Sequence, residues 1–368
     1  MMDWYQIENI ATIDSPALVV YKQRVQTNIA HLLQMVHQQT DKLRPHVKTN
    51  KISEVCQMLL DAGITKYKCA TIAEAEMLGL LHAPDVLLAY QPTAAKAARL
   101  FALISAYPQT HFSCLVDNLA TATLLSAMAG ENKMVLSVFV DLNTGMNRTG
   151  IKPTDATALC QQIQSLPNVH LTGLHGYDGH IRDTNVADRQ QHADNAFATI
   201  IDVAEAINKE GEPPLTIVAG GSPTFPMHAD RAGVECSPGT FVFWDWGYKH
   251  TMPDEPFEYA ALVITRVVSI IDQTSITTDL GHKSVAAENP MPRVYFLNAP
   301  EVTPIGQSEE HLVAKVPDAT KYQVGDVLYG VPLHICPTVA LYETAVVIEK
   351  GLATTTWKVV ARDRKITI

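Results

Sequence analysis

Between Lys42 and Asp245, short runs of β-branched and apolar residues alternate with longer stretches of helical periodicity. The strand candidates are residues 43–48, 66–70, 86–90, 111–116, 136–142, 169–175, 215–219 and 239–243. Residues 52–62, 72–81, 94–106, 119–128, 153–164 and 188–208 repeat apolar side chains at spacings of three and four. An intervening helix returns the chain to the starting edge, so strands that alternate with helices run parallel. Eight such units in about 200 residues predict a (β/α)8 barrel. An open doubly wound sheet is the competitor; it usually has fewer strands, and no GxGxxG turn follows the first one.

After Asp245 the texture changes. Residues 260–271, 275–279, 293–297, 311–315, 327–330, 345–349 and 356–361 are short runs with strand propensity, punctuated by Pro, Gly, Asn and Asp. They predict a mostly β second domain. A strand at 17–21 precedes the eight and is expected to join it, giving a barrel at 22–244 and a β domain made of 1–21 with 245–368.

Net charge of −10 argues against a nucleic-acid partner. A small anion remains open, because such sites are built locally from N–H groups and a few cations. The stretch 259–271 is broken by Thr265 and Arg266, and no apolar run reaches the roughly 20 residues needed to cross a bilayer. Met1-Met2-Asp3-Trp4 lacks the basic start of a signal peptide. The six cysteines show no CxxC spacing and read as thiols in a reducing compartment, so a cytoplasmic protein is expected.

Chemistry in such a barrel sits where strands end. The first candidate strand ends in Arg44-Pro45-His46-Val47-Lys48. A lysine there can face low dielectric, lose its proton and form a Schiff base; the plain alternative is a solvated charge. The segment 141–150 carries two glycines and Arg148, a fixed cation for the barrel mouth. Residues 173–180 place His175, Tyr177 and His180 among glycines, offering a ring for stacking and groups that move protons near neutral pH. Gly220-Gly221-Ser222 is a turn whose N–H groups and hydroxyl suit a phosphate, or a plain tight turn. In the β domain, His334 and Cys336 stand two apart, on the same side of an extended segment. Such a pair can hold half of a tetrahedral zinc site, and a thiolate disfavours Mg2+ or Mn2+.

The order of Ser15-Pro16-Ala17-Leu18-Val19, Arg44-Pro45-His46-Val47-Lys48-Thr49, residues 141–150, Gly220-Gly221-Ser222-Pro223, Pro238-Gly239-Thr240 and His334-Ile335-Cys336 resembles one family. It is similar to the D-threonine aldolase and D-serine dehydratase family, fold-type III pyridoxal-phosphate enzymes with an alanine-racemase-like N-terminal barrel. The resemblance covers nearly the whole chain. It implies that Lys48 carries the Schiff base, Arg148 approaches the cofactor's phenolic oxygen, and Tyr177 packs on the pyridine ring. It also implies that Gly220, Gly221 and Ser222 bind the phosphate. His334 and Cys336 match the pair that holds a metal at the substrate's β-hydroxyl, zinc by ligand type, with Mn2+ or Mg2+ as alternatives. His46 and His180 are candidates for proton transfer or for a third metal contact, while Arg44 and Pro45 read as scaffolding.

The activity implied is that of a lyase on D-3-hydroxy amino acids. The His-x-Cys pair leans toward β-elimination from D-serine or D-threonine, giving a 2-oxo acid and ammonia. The alternative is retro-aldol cleavage to glycine and an aldehyde. A racemase, a non-catalytic pyridoxal-phosphate carrier and a barrel enzyme without this cofactor are further readings. The extra β domain speaks against the carrier. A homodimer is expected from the family, with a small D-amino acid as partner and neither nucleic acid nor membrane.

Overall fold

The computed structural model describes residues 3–208 and 213–368; residues 1, 2 and 209–212 of the two expected domains, with the reading of the Met1-Met2 start, lie outside them. Two compact units emerge. One comprises Leu32–Lys48, Cys56–Gly239 and Asp363–Ile368; the other comprises residues through His31, Thr49–Val55 and Thr240–Arg362.

Strands are numbered along the chain, and β1 is Ala17–Tyr21. The first unit is the barrel. Its strands β2 (Lys66–Cys69), β3 (Asp85–Leu88), β4 (His111–Val116), β5 (Leu136–Leu142), β6 (Val169–Gly176), β7 (Thr216–Ala219) and β8 (Val234–Cys236) pair in sequence order, all parallel. The strand expected at 43–48 does not form a regular ladder. It makes two isolated parallel bridges instead, Leu43 to Cys236 on β8 and His46 to Lys68 on β2. Arg44 N–H donates to Cys236 O (2.8 Å), Val47 N–H to Lys68 O (2.9 Å) and Lys68 N–H to Pro45 O (2.9 Å). Pro45 has no N–H to give, which interrupts the ladder, yet the segment touches both edges and closes the sheet into an alanine-racemase-like barrel.

The eighth strand also differs from expectation. Residues 239–243 are not a strand: Thr240–Val242 is a 3-10 turn. Its apolar side chains are buried (Phe241, Val242 and Phe243), which mimics a core strand in sequence. The true strand, Val234–Cys236, is three residues long with a glutamate in the middle, so neither length nor pattern announces it.

Inside the barrel, inward positions alternate along each strand. Leu87, Leu115, Phe139 and Val218 form a buried apolar layer. Gly173 belongs here by necessity, since a Cβ would stand 2.1 Å from Thr216 O and 2.6 Å from Phe139 Cε1. A charged cluster includes Arg44, which bonds Glu235 through Nε (2.6 Å) and Asp85 through Nη1 (2.6 Å), while Lys66 reaches Glu235 at 2.5 Å. On the outside, helix starts follow strand ends with capping side chains. Thr71 Oγ1 accepts from Glu74 N–H (3.1 Å) and Asn118 Oδ1 from Thr121 N–H (2.8 Å).

The second unit is a nine-stranded sheet. Its members beyond β1 are β9 (Ala261–Asp272), β10 (Ser275–Thr278), β11 (Val294–Phe296), β12 (Thr303–Gln307), β13 (Leu312–Lys315), β14 (Val327–Pro332), β15 (Thr344–Glu349) and β16 (Leu352–Lys358). As expected, β1 joins this sheet, antiparallel to β9 and parallel to β15. Strand β9 is apolar on both faces because it serves two cores: Val263 packs with Ile276, Leu312 and Leu328, and Leu262 and Ile264 pack with Val19 and Tyr21. Strand β12, carrying Pro304 and Gly306, had no counterpart among the expected strands. The last expected strand, 356–361, begins earlier as β16 and gives way to a 3-10 turn at Val360–Arg362. No helix among the described residues is long and apolar enough to cross a membrane.

Replacing Arg44 by methionine leaves Glu235 with Lys66 alone and strips Asp85 of its partner. Stability falls by about 3 kcal/mol, because a carboxylate built to meet a buried guanidinium loses it. The check is a lower urea midpoint at unchanged slope.

Candidate active site

The carboxyl ends of the barrel strands collect a ring, three cations and two hydrogen-bonded carboxylates. Tyr177, just past β6, is the centre. Lys48 Nζ lies 5.6 Å from its ring centroid, Lys68 Nζ 5.5 Å and the Arg148 guanidinium carbon 5.1 Å. Glycines make room for the ring: a Cβ on Gly221 would stand 3.0 Å from Tyr177 Cε2, and one on Gly179 2.2 Å from its hydroxyl.

Each cation has its own mounting. Lys48 ends the closing segment, and its backbone N–H donates to His46 Nδ1 at 3.3 Å, so the His46 ring folds back against that backbone. Arg148 rides a loop fixed at its base. Asn143 N–H donates to Ile151 O (2.9 Å), and Asn143 Oδ1 accepts from the N–H groups of Gly145 and Asn147 (3.1 Å each). Lys68 is buried on β2. Its Nζ is 3.3 Å from His175 Nε2, and His175 Nδ1 is 2.7 Å from Asp141 Oδ1.

The electrostatics of that row follow from burial. Desolvation, reinforced by the Lys48 charge and opposed by Asp178 and Asp141, pushes the Lys68 amine down to about 7. Burial, then Lys68, lowers the His175 imidazole below its ordinary value despite the Asp141 bond. Burial would raise the Asp141 carboxyl, but the bond and charge of His175, with Thr149 and Lys68, together hold it below the usual carboxylate range. The bonding assigns the tautomer: His175 Nδ1–H donates to ionised Asp141, and Nε2 accepts from Lys68.

The glycine turn after β7 is held by a second carboxylate. Gly221 N–H donates to Asp178 Oδ1 (3.2 Å), and Asp178 Oδ2 meets His228 Nε2 at 2.9 Å. Gly220 has φ +75°, and a Cβ there would stand 2.9 Å from Phe225 Cα. Ser222 Oγ accepts from Gly239 N–H (3.2 Å). Ser237, whose N–H donates to Gly220 O (2.8 Å), keeps a buried hydroxyl without a hydrogen-bond partner among the described residues. Burial would raise the Asp178 carboxyl, but the bond and charge of His228, with the Gly221 N–H, keep it below the usual range.

His180 is exposed. It packs over Gly145 and lines a cavity of about 640 Å3 with Thr144, Arg182, Asp183 and His192.

In the β unit, His334 and Cys336 do not share an extended segment. His334 is the residue preceding a short helix, Ile335–Val339, and Cys336 lies in its first turn, a break imposed as β14 ends at Pro332. The two side chains nevertheless hydrogen-bond. Cys336 Sγ stands 3.1 Å from Thr49 Oγ1, and His334 Nδ1 2.6 Å from Glu288 Oε1. Burial would lower the His334 imidazole, but the Cys336 bond and charge, with Asp245 and Glu288, raise it to about 9. No group of three or more His, Cys, Asp or Glu side chains that could hold a metal ion occurs among the described residues.

Lys68, Asp178 and His228 did not stand out in the sequence. For Lys68 the signal was parity: a lysine at a strand position whose partner on β3 is the buried Leu87. Asp178 and His228 meet 50 residues apart, with no local pattern to join them.

A parallel barrel with a lysine at its mouth is one architecture in which an amine can meet a carbonyl at the strand ends. Residues 20–245 match the family "Alanine racemase, N-terminal domain", and residues 260–348 match "Putative serine dehydratase domain". The chain belongs to this family of fold-type III pyridoxal-phosphate enzymes. It is 27% identical to a D-threonine aldolase of Arthrobacter sp over 96% of this chain and 94% of the relative. It is 25% identical to a D-threo-3-hydroxyaspartate dehydratase of Delftia sp. over 95% and 98%. The crystal structure of D-threonine aldolase from Filomicrobium marinum superposes with a TM-score of 0.87 at 24% identity, covering 96% of both chains.

The barrel residues fit the cofactor of that family. An amine suits its carbonyl, an arginine its phenolic oxygen and a flat ring its pyridine, and the orphaned Ser237 hydroxyl beside the glycine turn gives a polar ligand something to satisfy.

Asp178→Asn removes a carboxylate that is more acidic folded than unfolded. Its contribution is therefore present above about pH 4 and is lost as the pH falls below the ordinary carboxylate range. The variant should be about 1–3 kcal/mol less stable at pH 7. The gap should narrow in acid, as denaturant titrations across pH will show.

Proposed function

We propose that this chain is a lyase of D-3-hydroxy amino acids that uses pyridoxal phosphate and a divalent metal. The observation that carries the reading is the convergence of Lys48 and Arg148 on the Tyr177 ring, beside the Gly220–Gly221–Ser222 turn. Kinship to an aldolase and a dehydratase of this substrate class supports it. The cofactor is assigned to Lys48, Arg148, Tyr177, Gly220, Gly221 and Ser222. When bound, pyridoxal phosphate supplies a reactive carbonyl and an electron sink for charge developing at the substrate's Cα.

The protein's own groups do the rest. Lys48 Nζ would be the amine that holds the cofactor's carbonyl, and it is the protein's base for the Cα proton. His46 steadies the Lys48 backbone through its Nδ1, and His180 is assigned to proton transfer from the loop beyond Tyr177. Arg148 brings a guanidinium to the face of the ring.

His334 and Cys336 are the proposed metal pair. Glu288 occupies His334 Nδ1, the way an outer carboxylate orients a ligating imidazole. Imidazole with thiolate selects zinc over Mn2+ or Mg2+, and the metal would polarise a hydroxyl as a Lewis acid. The thiolate leans the reading toward β-elimination, that of a D-serine or D-threonine dehydratase. D-threonine aldolase is the second reading, favoured by the 27% identity to such an enzyme. A cytoplasmic homodimer completes the proposal.

Products decide between the two. D-threonine and D-serine are offered with and without zinc: 2-oxobutyrate or pyruvate with ammonia marks elimination, whereas glycine with acetaldehyde from D-threonine marks cleavage. Lys48→Ala should lose the absorbance of the bound cofactor and about a thousandfold or more in kcat, with the circular dichroism of the wild type. Retained turnover would refute the assignment. Cys336→Ala should lower bound zinc and activity together, as read by metal emission analysis alongside the assay; unchanged activity would remove the metal from the reaction.

A further inference from the structure

Lys68 is buried at the barrel's open end (3% exposed) and has no part in the scheme above. It faces charges on every side. Lys48 and Arg44 repel it from the closing segment, Asp141 on β5 and Asp178 after β6 attract it, and His175 holds its Nζ. His46 is its backbone bridge partner, and Arg148 shares the Tyr177 ring with it. Arg44 is matched by Asp85 and Glu235, and Glu235 also by Lys66. That leaves three cations (Lys48, Lys68 and Arg148) against two carboxylates (Asp141 and Asp178), each already bonded to a histidine. A buried ammonium among like charges is an unfavourable placement unless an anion completes it.

We propose that Lys68 is the ionisable anchor of the cofactor pocket: as an ammonium it joins Lys48 and Arg148 in holding an anionic, phosphorylated ring against Tyr177, and it takes up its proton as that ligand arrives. The inference rests on the pyridoxal-phosphate reading and adds a positioning residue to it. His175 makes the arrangement workable. Both the ammonium and the neutral amine have an N–H for Nε2, so the side chain keeps its place through titration. With the amine already pushed down to about 7, much of it is neutral above that pH in the empty protein. An incoming anion raises it again, so affinity is greatest below about pH 7 and declines as the pH rises through it.

The probe is pyridoxine 5'-phosphate, which has the ring and the phosphate but no carbonyl for Lys48. Calorimetry on the cofactor-stripped full chain, in two buffers of different ionisation enthalpy, reads affinity and proton uptake together. The range begins at pH 6.5, where the ligand phosphate is largely ionised. Wild type should weaken by up to about tenfold between pH 6.5 and 8.5 and take up a proton fraction at pH 8. Lys68→Met should bind weakly at all pH values without that uptake. Lys68→Arg should recover the affinity seen at pH 6.5 and stay flat, which a merely structural lysine would not produce.

Wild-type affinity and uptake in Lys68→Met would overturn the inference while leaving the cofactor reading intact, provided borohydride fixes pyridoxal phosphate to Lys48. Failure of the wild type both to bind the probe and to be labelled at Lys48 would overturn both.

Discussion

The barrel depends on one buried guanidinium. Arg44 sits on the segment that closes the sheet, and its bonds to Glu235 on β8 and Asp85 on β3 tie that segment to strands on either side of the closure. With Pro45 breaking the ladder, the backbone alone supplies only two bridges. The ion pairs supply the rest, and their position fixes where the following residues emerge. Four residues later the chain presents Lys48. A structural charge at one level of the barrel thus determines where the Lys48 amine emerges at another.

The site's electrostatics follow the same economy of pairs. Two carboxylates at the strand ends each hold one histidine, and each keeps its charge although burial opposes it. Asp178 uses its second oxygen to fix Gly221, so a side chain aligns the glycine turn alongside the backbone bonds that Thr224 and Phe225 N–H give to Gly221 O. Asp141 fixes His175 and, through it, Lys68.

Much of this was readable in advance, for physical reasons that can be named. Strands β4 and β5 fell on the expected residues because each is flanked by turn-forming residues and followed by a periodic helix. Strand β1 was recognisable as an outlier before the barrel, and it joined the second sheet as expected. The closing segment was legible as a location but not as a conformation, since Pro45 and two bridges replace a ladder. Strand β8 was illegible: three residues around a glutamate carry no periodicity, and the buried run at Phe241–Phe243 imitated it. Lys48, Arg148 and Tyr177 could be picked out because motif order marked them, and the two cations lie 5.6 and 5.1 Å from the Tyr177 ring centroid. Lys68 joins them only through parity across a sheet. The His334–Cys336 spacing suggested a strand, and Pro332 turned it into a helix start.

The position of β1 has a consequence for how the chain is made. Ala17 waits for Ile264 and Leu18 for Ala345, so a strand synthesised before the barrel pairs with strands synthesised after it. Most of the barrel's strands pair with neighbours in sequence, and such local contacts form soonest. A nascent chain would therefore carry an apolar, unpaired strand throughout barrel synthesis, the kind of edge on which another chain can pair. Protecting that five-residue strand until β9 appears is a task the finished fold no longer reveals.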